Sequence, residues 1–180
     1  MKGFLYTLFA SFILLGCSKD NKVDPETDTK SVNIGGKSIT FEGAGVIDYG
    51  YDDSWEEYNM EFILTSSSIT SGKTIVDFPY SLYLQAYVAN DKFMYGTYKA
   101  GADDMYGGAV FIEKGKNEMY MTTGSFTISK ESNGDLKLQI DGILMDGREL
   151  KGTYIGTFAD LDENFVETLW TKESTFKIRN

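Results

Sequence analysis

Cys17 is the residue of this chain best suited to covalent chemistry. It is the only cysteine among 180 residues, and the chain has no histidine. It closes Leu14-Leu15-Gly16-Cys17, at the end of an apolar run from Phe4 to Leu15 that follows one lysine, Lys2. A positive start, an apolar stretch of about 7–15 residues and a small residue before the cut are the parts of a secretory signal. An ordinary cleavage site needs no cysteine, whereas a site for lipid attachment needs one directly after the cut. The expectation is removal of residues 1–16 and acylation of Cys17. The apolar run is too short for a spanning helix, which takes about 20 residues, and Ser18-Lys19-Asp20-Asn21 follows at once. A lone cysteine makes no internal disulfide, so folding needs no oxidising step.

Other reactive groups are sparse. Without histidine there is no Ser-His-Asp or Cys-His system and no imidazole zinc site. A glycoside hydrolase needs only two carboxylates about 5–9.5 Å apart, but none of the 27 acidic residues stands out as a pair. A small carboxylate-based hydrolase is therefore the least favoured reading, and the chain is read as non-catalytic. Gly72-Lys73-Thr74 mimics the end of a phosphate loop. The first glycine of that motif would fall at Ser67, and Ile75-Val76 follows as strand rather than helix. Asp160-Leu161-Asp162-Glu163-Asn164 resembles the opening of a calcium loop, with Asp160, Asp162 and Asn164 as alternate oxygen ligands. Phe165 and Thr171 stand where such a loop needs glycine and glutamate, so it is not an EF-hand. Calcium there, at Asp103-Asp104 or at Asp52-Asp53 is the only cofactor left open.

The best ligand candidate is Tyr49-Gly50-Tyr51-Asp52-Asp53-Ser54-Trp55-Glu56-Glu57-Tyr58, taken as a loop between strands. Aromatic rings stack on the apolar faces of sugars, and carboxylates accept their hydroxyls. Binding sites combine apolar walls with a few placed polar groups in this way. Tyr49, Tyr51, Asp52, Asp53, Trp55 and Tyr58 are its candidate residues. A second loop of similar character offers Asp103, Asp104 and Tyr106. The competing reading tucks these aromatics under the loop as a satellite core. Tyr83 and Tyr87 lie opposite the core set of their strand, either as a second buried layer or as an exposed patch.

The elements that must position these residues are β-strands. Residues 17–30 form the lipidated end and a polar tether, whose Ser18–Lys30 stretch has one apolar residue, Val23, and too little apolar surface to fold. Extended, that stretch reaches roughly 40 Å. Residues 31–180 suit one domain. Alternation through Tyr58-Met60-Phe62-Leu64, Leu82-Leu84-Ala86-Val88, Leu136-Leu138-Ile140 and Leu150-Gly152-Tyr154 puts each set on one strand face. Strands are predicted at 31–34, 37–48, 58–67, 80–89, 93–99, 107–113, 117–129, 135–145, 148–158 and 174–179. This is an all-β chain: an antiparallel β-sandwich of nine or ten strands, or alternatively a lipocalin-like β-barrel. Gly43-Ala44-Gly45 stands where such barrels carry a glycine-x-tryptophan signature.

Turn chemistry predicts registers. Gly35-Gly36 pairs Val32 with Ile39. A three-residue loop, Ser132-Asn133-Gly134, pairs Ile128 with Leu138 and Phe126 with Ile140. Asp146-Gly147 as a two-residue turn pairs Ile143 with Leu150, and a bulge at Asp141-Gly142 then restores Ile140 opposite Gly152 and Leu138 opposite Tyr154. Residues 119–158 are thus a three-stranded meander. Leu161, Phe165 and Leu169, with Val166 and Trp170, are spaced for a short amphipathic helix capped by Asp160 or Asp162.

The acidic residues Asp20, Asp24, Glu26 and Asp28 just after Cys17 resemble the tethers of Bacteroidota lipoproteins, where such a stretch accompanies export to the outer face of the outer membrane. Lys19 and Lys22 interrupt the run, and a periplasm-facing tether is the alternative. The stretch from Gly124-Ser125-Phe126-Thr127-Ile128 to Gly152-Thr153-Tyr154-Ile155-Gly156-Thr157 is similar to small β-rich lipoproteins common in Bacteroidota, and implies no catalytic residues. A formal charge of -10 disfavours nucleic acid. The expected protein is a non-catalytic, membrane-tethered binding or adhesion lipoprotein for a glycan or a host component. A structural or accessory subunit of an outer-membrane assembly is the alternative.

Overall fold

The computed structural model describes residues 29–99 and 104–167. Cys17, the predicted signal, most of the predicted tether, Asp103 and the strand predicted at 174–179 lie outside the described residues. Eleven strands follow in order: β1 (Lys30–Ile34), β2 (Lys37–Thr40), β3 (Gly43–Asp52), β4 (Glu57–Thr65), β5 (Tyr80–Val88), β6 (Gly96–Lys99), β7 (Met105–Glu113), β8 (Met119–Lys130), β9 (Leu136–Leu144), β10 (Glu149–Gly156) and β11 (Ala159–Asp160). The predicted 37–48 strand is two, broken at Phe41-Glu42. Lys30, assigned to the tether, opens β1, and Ile155 N donates to Thr29 O at 2.7 Å.

The all-β expectation holds, with the strands in one mixed sheet of order β11-β3-β4-β5-β7-β6-β8-β9-β10-β1-β2. Most pairings are antiparallel; β3–β11 and β6–β7 are parallel. The sheet must curl. β2 lies at one margin and β3 is second from the other, yet only Phe41 and Glu42 join them. Phe41 N donates to Lys30 O on β1 at 2.9 Å, and Glu42 N to Thr65 O on β4 at 3.0 Å. The two ends of the sheet therefore meet at this corner, in a barrel-like or sandwich-like wrap.

Alternation decides what lies inside. Val32, Phe62, Leu84, Phe111, Phe126, Ile140, Leu150 and Tyr154 come from seven strands into one buried cluster. A second, smaller cluster lies on the outer face of β3, β4, β5 and β7. Ile47, Ile63, Tyr83 and Val110 are covered there by Ile75 and Phe78 from the β4–β5 connection and by Phe165 and Val166 after β11. Tyr83 is thus in a second buried layer, 1% exposed.

The meander forms as β8-β9-β10, with Ile128 opposite Leu138 and Phe126 opposite Ile140, and Ile140 opposite Gly152 and Leu138 opposite Tyr154. Val32 faces Ile39 across the first hairpin. The means of restoring parity differs from the expectation. The last turn holds three residues, Met145-Asp146-Gly147: Leu144 N donates to Arg148 O, and Gly147 N to Leu144 O, both at 2.9 Å. Gly147 has φ 85, a conformation open mainly to glycine. Ile143 then faces Glu149 rather than Leu150, and no bulge is needed at Asp141-Gly142. The irregularity sits across the ladder, between Met121 and Thr123 on β8. A Cβ on Gly142 would meet Met121 Sδ at 2.4 Å and Thr123 O at 2.8 Å, so its missing side chain makes room for that neighbour.

The amphipathic helix does not form within the described residues. Glu163–Phe165 is one 3₁₀ turn, capped by Asp162, whose carboxylate accepts from Asn164 N. Phe165 and Val166 are buried as their spacing implied. Leu169 and Trp170 lie outside the described residues.

Candidate functional site

A groove of about 450 Å³ opens on the outer face, over β3, β4 and β5. Its floor follows from β4 alternation. Tyr58, Met60 and Phe62 turn inward to the main core, so Asn59 and Glu61 turn outward. The ladder sets Gln85 beside Glu61 and Tyr87 beside Asn59. Tyr49 arrives through a bulge between Asp48 and Gly50. Gly50 has φ 74, and its N–H donates to Asp48 Oδ1 at 2.9 Å. The extra residue turns Tyr49 toward Glu61.

Glu61 is the centre of the groove floor. It is 2% exposed. One carboxylate oxygen accepts from Tyr83 OH and from Gln85 Nε2 at 3.1 Å. The other accepts from Tyr49 OH at 3.2 Å. Burial raises the Glu61 carboxyl above its ordinary range, and the bonds from Tyr83, Gln85 and Tyr49 offset this only in part. Burial first and then the Glu61 charge push up the hydroxyls of Tyr49, Tyr83 and Tyr87, the last to about 12. Asn59 Oδ1 is buried with no hydrogen-bond partner, a condition that costs about 1–3 kcal/mol when nothing compensates it.

The rim is the segment after β11. Leu161 N donates to Val46 O at 2.8 Å, and Phe165 packs on Phe78 with ring centroids 6.1 Å apart. These anchors bring Glu163, Asn164 and Glu167 to the groove. Leu161 fits over β3 because residue 45 is glycine: a Cβ there would meet Leu161 Cδ1 at 2.2 Å. Gly45→Ala is expected to cost about 2 kcal/mol, since the new Cβ would also meet Leu161 Cγ at 2.5 Å and the whole side chain must shift. It should also speed hydrogen exchange at the Leu161 amide. An unchanged exchange rate would show that the rim is held by other contacts.

The opposite wall is Tyr87, stacked on Tyr106 at 4.9 Å and 10°. Tyr106 OH donates to Glu57.

The proposed ligand residues separate. Tyr49, Tyr51 and Asp52 belong to β3 and Tyr58 to β4, so the expected loop is a hairpin with only residues 53–56 at its tip. Tyr49 lines the groove, and Tyr106 backs its wall. Tyr58 faces the core, with its hydroxyl on Asp48 at 2.8 Å and its ring 6.4 Å from Phe93. Asp52 is used by the turn, accepting from Ser54 N at 2.7 Å. Asp53 and Asp104 are exposed. Trp55, at 76% exposure, and Tyr51 stand in solvent at the hairpin end, not tucked beneath it.

At the suggested calcium site, Asp162 and Asn164 come together as a turn cap, and Asp160 is exposed on β11. Among the described residues no three acidic side chains converge to hold a metal ion. Gly72-Lys73-Thr74 leads into a single 3₁₀ turn, Ile75–Asp77, which offers no helix N-terminus to a phosphate.

Sequence reasoning missed Glu61, Asn59 and Gln85. One signal was present: after Glu61 the run Phe62-Ile63-Leu64 is apolar at consecutive positions, which means both faces of β4 become buried there.

The fold and site define an all-β protein with one curled mixed sheet and a polar, aromatic-walled groove on its outer face. No protein-family model, no curated protein and no solved structure matches the chain.

Proposed function

We propose that this chain is a non-catalytic cell-envelope lipoprotein, tethered through lipid on Cys17 and displayed at the outer surface of a Bacteroidota-type outer membrane, that binds a glycan in the outer-face groove. The observation that carries the binding part is the groove floor. A carboxylate fixed by three side-chain donors, Gln85 beside it and the flanking rings of Tyr49 and Tyr87 place oriented polar groups beside aromatic faces. Both Glu61 oxygens are engaged by the protein's own donors, which suits a positioning role better than proton transfer. The acidic tether supports surface display, and the strand fold beginning at Lys30 leaves 12 residues, Ser18 to Thr29, as spacer after Cys17.

Glycan-array screening with thermal-shift confirmation tests this reading. Binding should be lost in Tyr87→Ala and retained in a Tyr51→Ala/Trp55→Ala variant. The reverse result would move the site to the hairpin end. Absence of binding to every glycan class would overturn the reading. For the anchor, mass spectrometry of the native protein should find Cys17 acylated at the N-terminus; a free thiol there would overturn it.

A further inference from the structure

We infer that the end of the β3–β4 hairpin and the connection between β5 and β6 form a docking surface for a basic segment of a partner protein, with Trp55 as its anchor. The surface is separate from the groove, which Trp55 does not line. The two segments lie together. Tyr51 faces Tyr58 across the ladder, the Tyr58 ring is 6.4 Å from Phe93, and Phe93 meets Tyr95 edge-on at 5.4 Å. Phe93 packs against the main core and fixes the connection to it. Trp55 is 76% exposed there, and Tyr95, Met94 and Tyr51 are 51%, 43% and 41% exposed. Clustered apolar exposure marks an interaction site, and these residue types are the ones that interfaces favour. The hairpin end is held by its own backbone: Glu56 N donates to Asp52 O at 2.8 Å, and Ser54 N to Asp52 Oδ1 at 2.7 Å. Trp55 is therefore presented in advance, which lowers the ordering cost of binding.

Charge selects the occupant. The two segments carry Asp52, Asp53, Glu56, Glu57 and Asp91 against Lys92. Asp52 is used by the turn and Glu57 by Tyr106, whereas Asp53, Glu56 and Asp91 are exposed. These three converge on one point: local desolvation first, and then the charges of Glu56, Asp53 and Asp91, raise the Tyr51 hydroxyl above its ordinary range. A lysine or arginine brought here meets aromatic faces and carboxylates together. The same carboxylates repel anionic lipid headgroups. They also oppose a second copy docked through the same patch, which would set acid against acid. Shape separates a protein from a sugar. Trp55 projects from a hairpin end. A sugar covers one face of an indole, whereas a partner protein supplies a pocket that encloses both.

A random-peptide library panned against the full chain tests this, with peptides that also hold to a Trp55→Ala variant discarded. The retained peptides should be enriched in arginine and lysine. The most enriched sequence, titrated as a synthetic peptide, should bind the wild type at least about tenfold more tightly than Trp55→Ala. An Asp53→Asn/Glu56→Gln variant, altered only at exposed turn positions, should lose roughly fivefold at low salt and much less at high salt. Both variants should keep the wild-type melting temperature, so that lost binding is not lost folding. Retention of no Trp55-dependent peptide overturns the docking surface. Retained peptides without an excess of positive charge overturn the basic partner. Trp55-dependent co-sedimentation with phosphatidylcholine vesicles assigns the patch to a membrane, and Trp55-dependent dimerisation in the ultracentrifuge assigns it to a second copy; either result overturns the inference. Each of these failures leaves the groove reading standing, because Trp55 lies outside the groove.

Discussion

Tyr83→Phe is expected to destabilise the protein by about 2 kcal/mol at about pH 8, because it removes a buried hydrogen bond to a carboxylate. Tyr83 is 1% exposed and donates to Glu61 from the adjacent strand. The loss should depend on pH, and its sign follows from linkage. Burial raises the Glu61 carboxyl in the folded state above the ordinary 4.5. Over the window above that value the folded protein keeps a proton that the unfolded chain has released. Stability from this group is therefore greatest below the unfolded pKa and declines as pH rises through the folded one. Phenylalanine at 83 removes a bond that favours the charged carboxylate, so it pushes the folded pKa higher still. The gap between wild type and variant should widen with rising pH and shrink toward about pH 4, where Glu61 is protonated in both. Urea unfolding across this range measures it, and Glu61→Gln should abolish the pH-dependent part. A gap independent of pH would mean that Glu61 does not titrate in this network.

Phe126→Ala should cost more, about 4 kcal/mol, the range for deleting a fully buried aromatic ring. Phe126 is fully buried on β8, where the sheet passes from β7 through β6. Its ring stacks on Tyr98 at 5.3 Å and 11°. Its edge fills the space beside Gly107, where a Cβ would lie 2.9 Å from Phe126 Cζ. Three strands are thus wedged by one side chain, and hydrogen bonds on both sides of β8 restrain any collapse into the void. The melting temperature should fall by more than about 10 °C. Ligand binding below the new midpoint should survive, because the ring is on the inner face and the groove on the outer. A loss under about 2 kcal/mol would show that the curled sheet can close over the gap.

The parts of this fold that were legible in the residues are those governed by near neighbours. Met60, Phe62 and Leu64 on β4 and Leu82, Leu84, Ala86 and Val88 on β5 alternate, and all of them reach the inner cluster. Asn133-Gly134 indicated its three-residue loop correctly, because the parity of Ile128 against Leu138 allowed only one loop length. Asp146-Gly147 was misjudged at the same step. Arg148 pairs with Leu144 and puts Met145 into the turn, a choice that costs nothing locally because Met145 is 60% exposed. The helix expected after Asp160 gives way to a 3₁₀ turn at Glu163–Phe165; Glu167 is helical, and the residues that follow it lie outside those described. The expected apolar spacing is also met by a short turn whose Phe165 and Val166 are drawn down onto Phe78 and Tyr83.

The candidate site was the least legible part. Tyr49 and Tyr106 were singled out for their neighbours in sequence, and they reach the groove with partners from other strands. Glu61 sits in a stretch that alternates polar and apolar, which by itself reads as a solvent-facing acid. Its burial depends on Tyr49, displaced by a bulge, and on the segment laid over Gly45 by Leu161.

The chain's residues alone determined where strands run, which of their faces is apolar and how the tight hairpins pair. Those outcomes depend on a two-residue period and on turn residues a few positions apart. Tertiary structure decided that the strands join in one curled sheet, that part of its outer face is covered, and that a carboxylate lies beneath that cover. Each of these depends on which distant segments come to rest together, and burial of a side chain is a property of the chain that covers it.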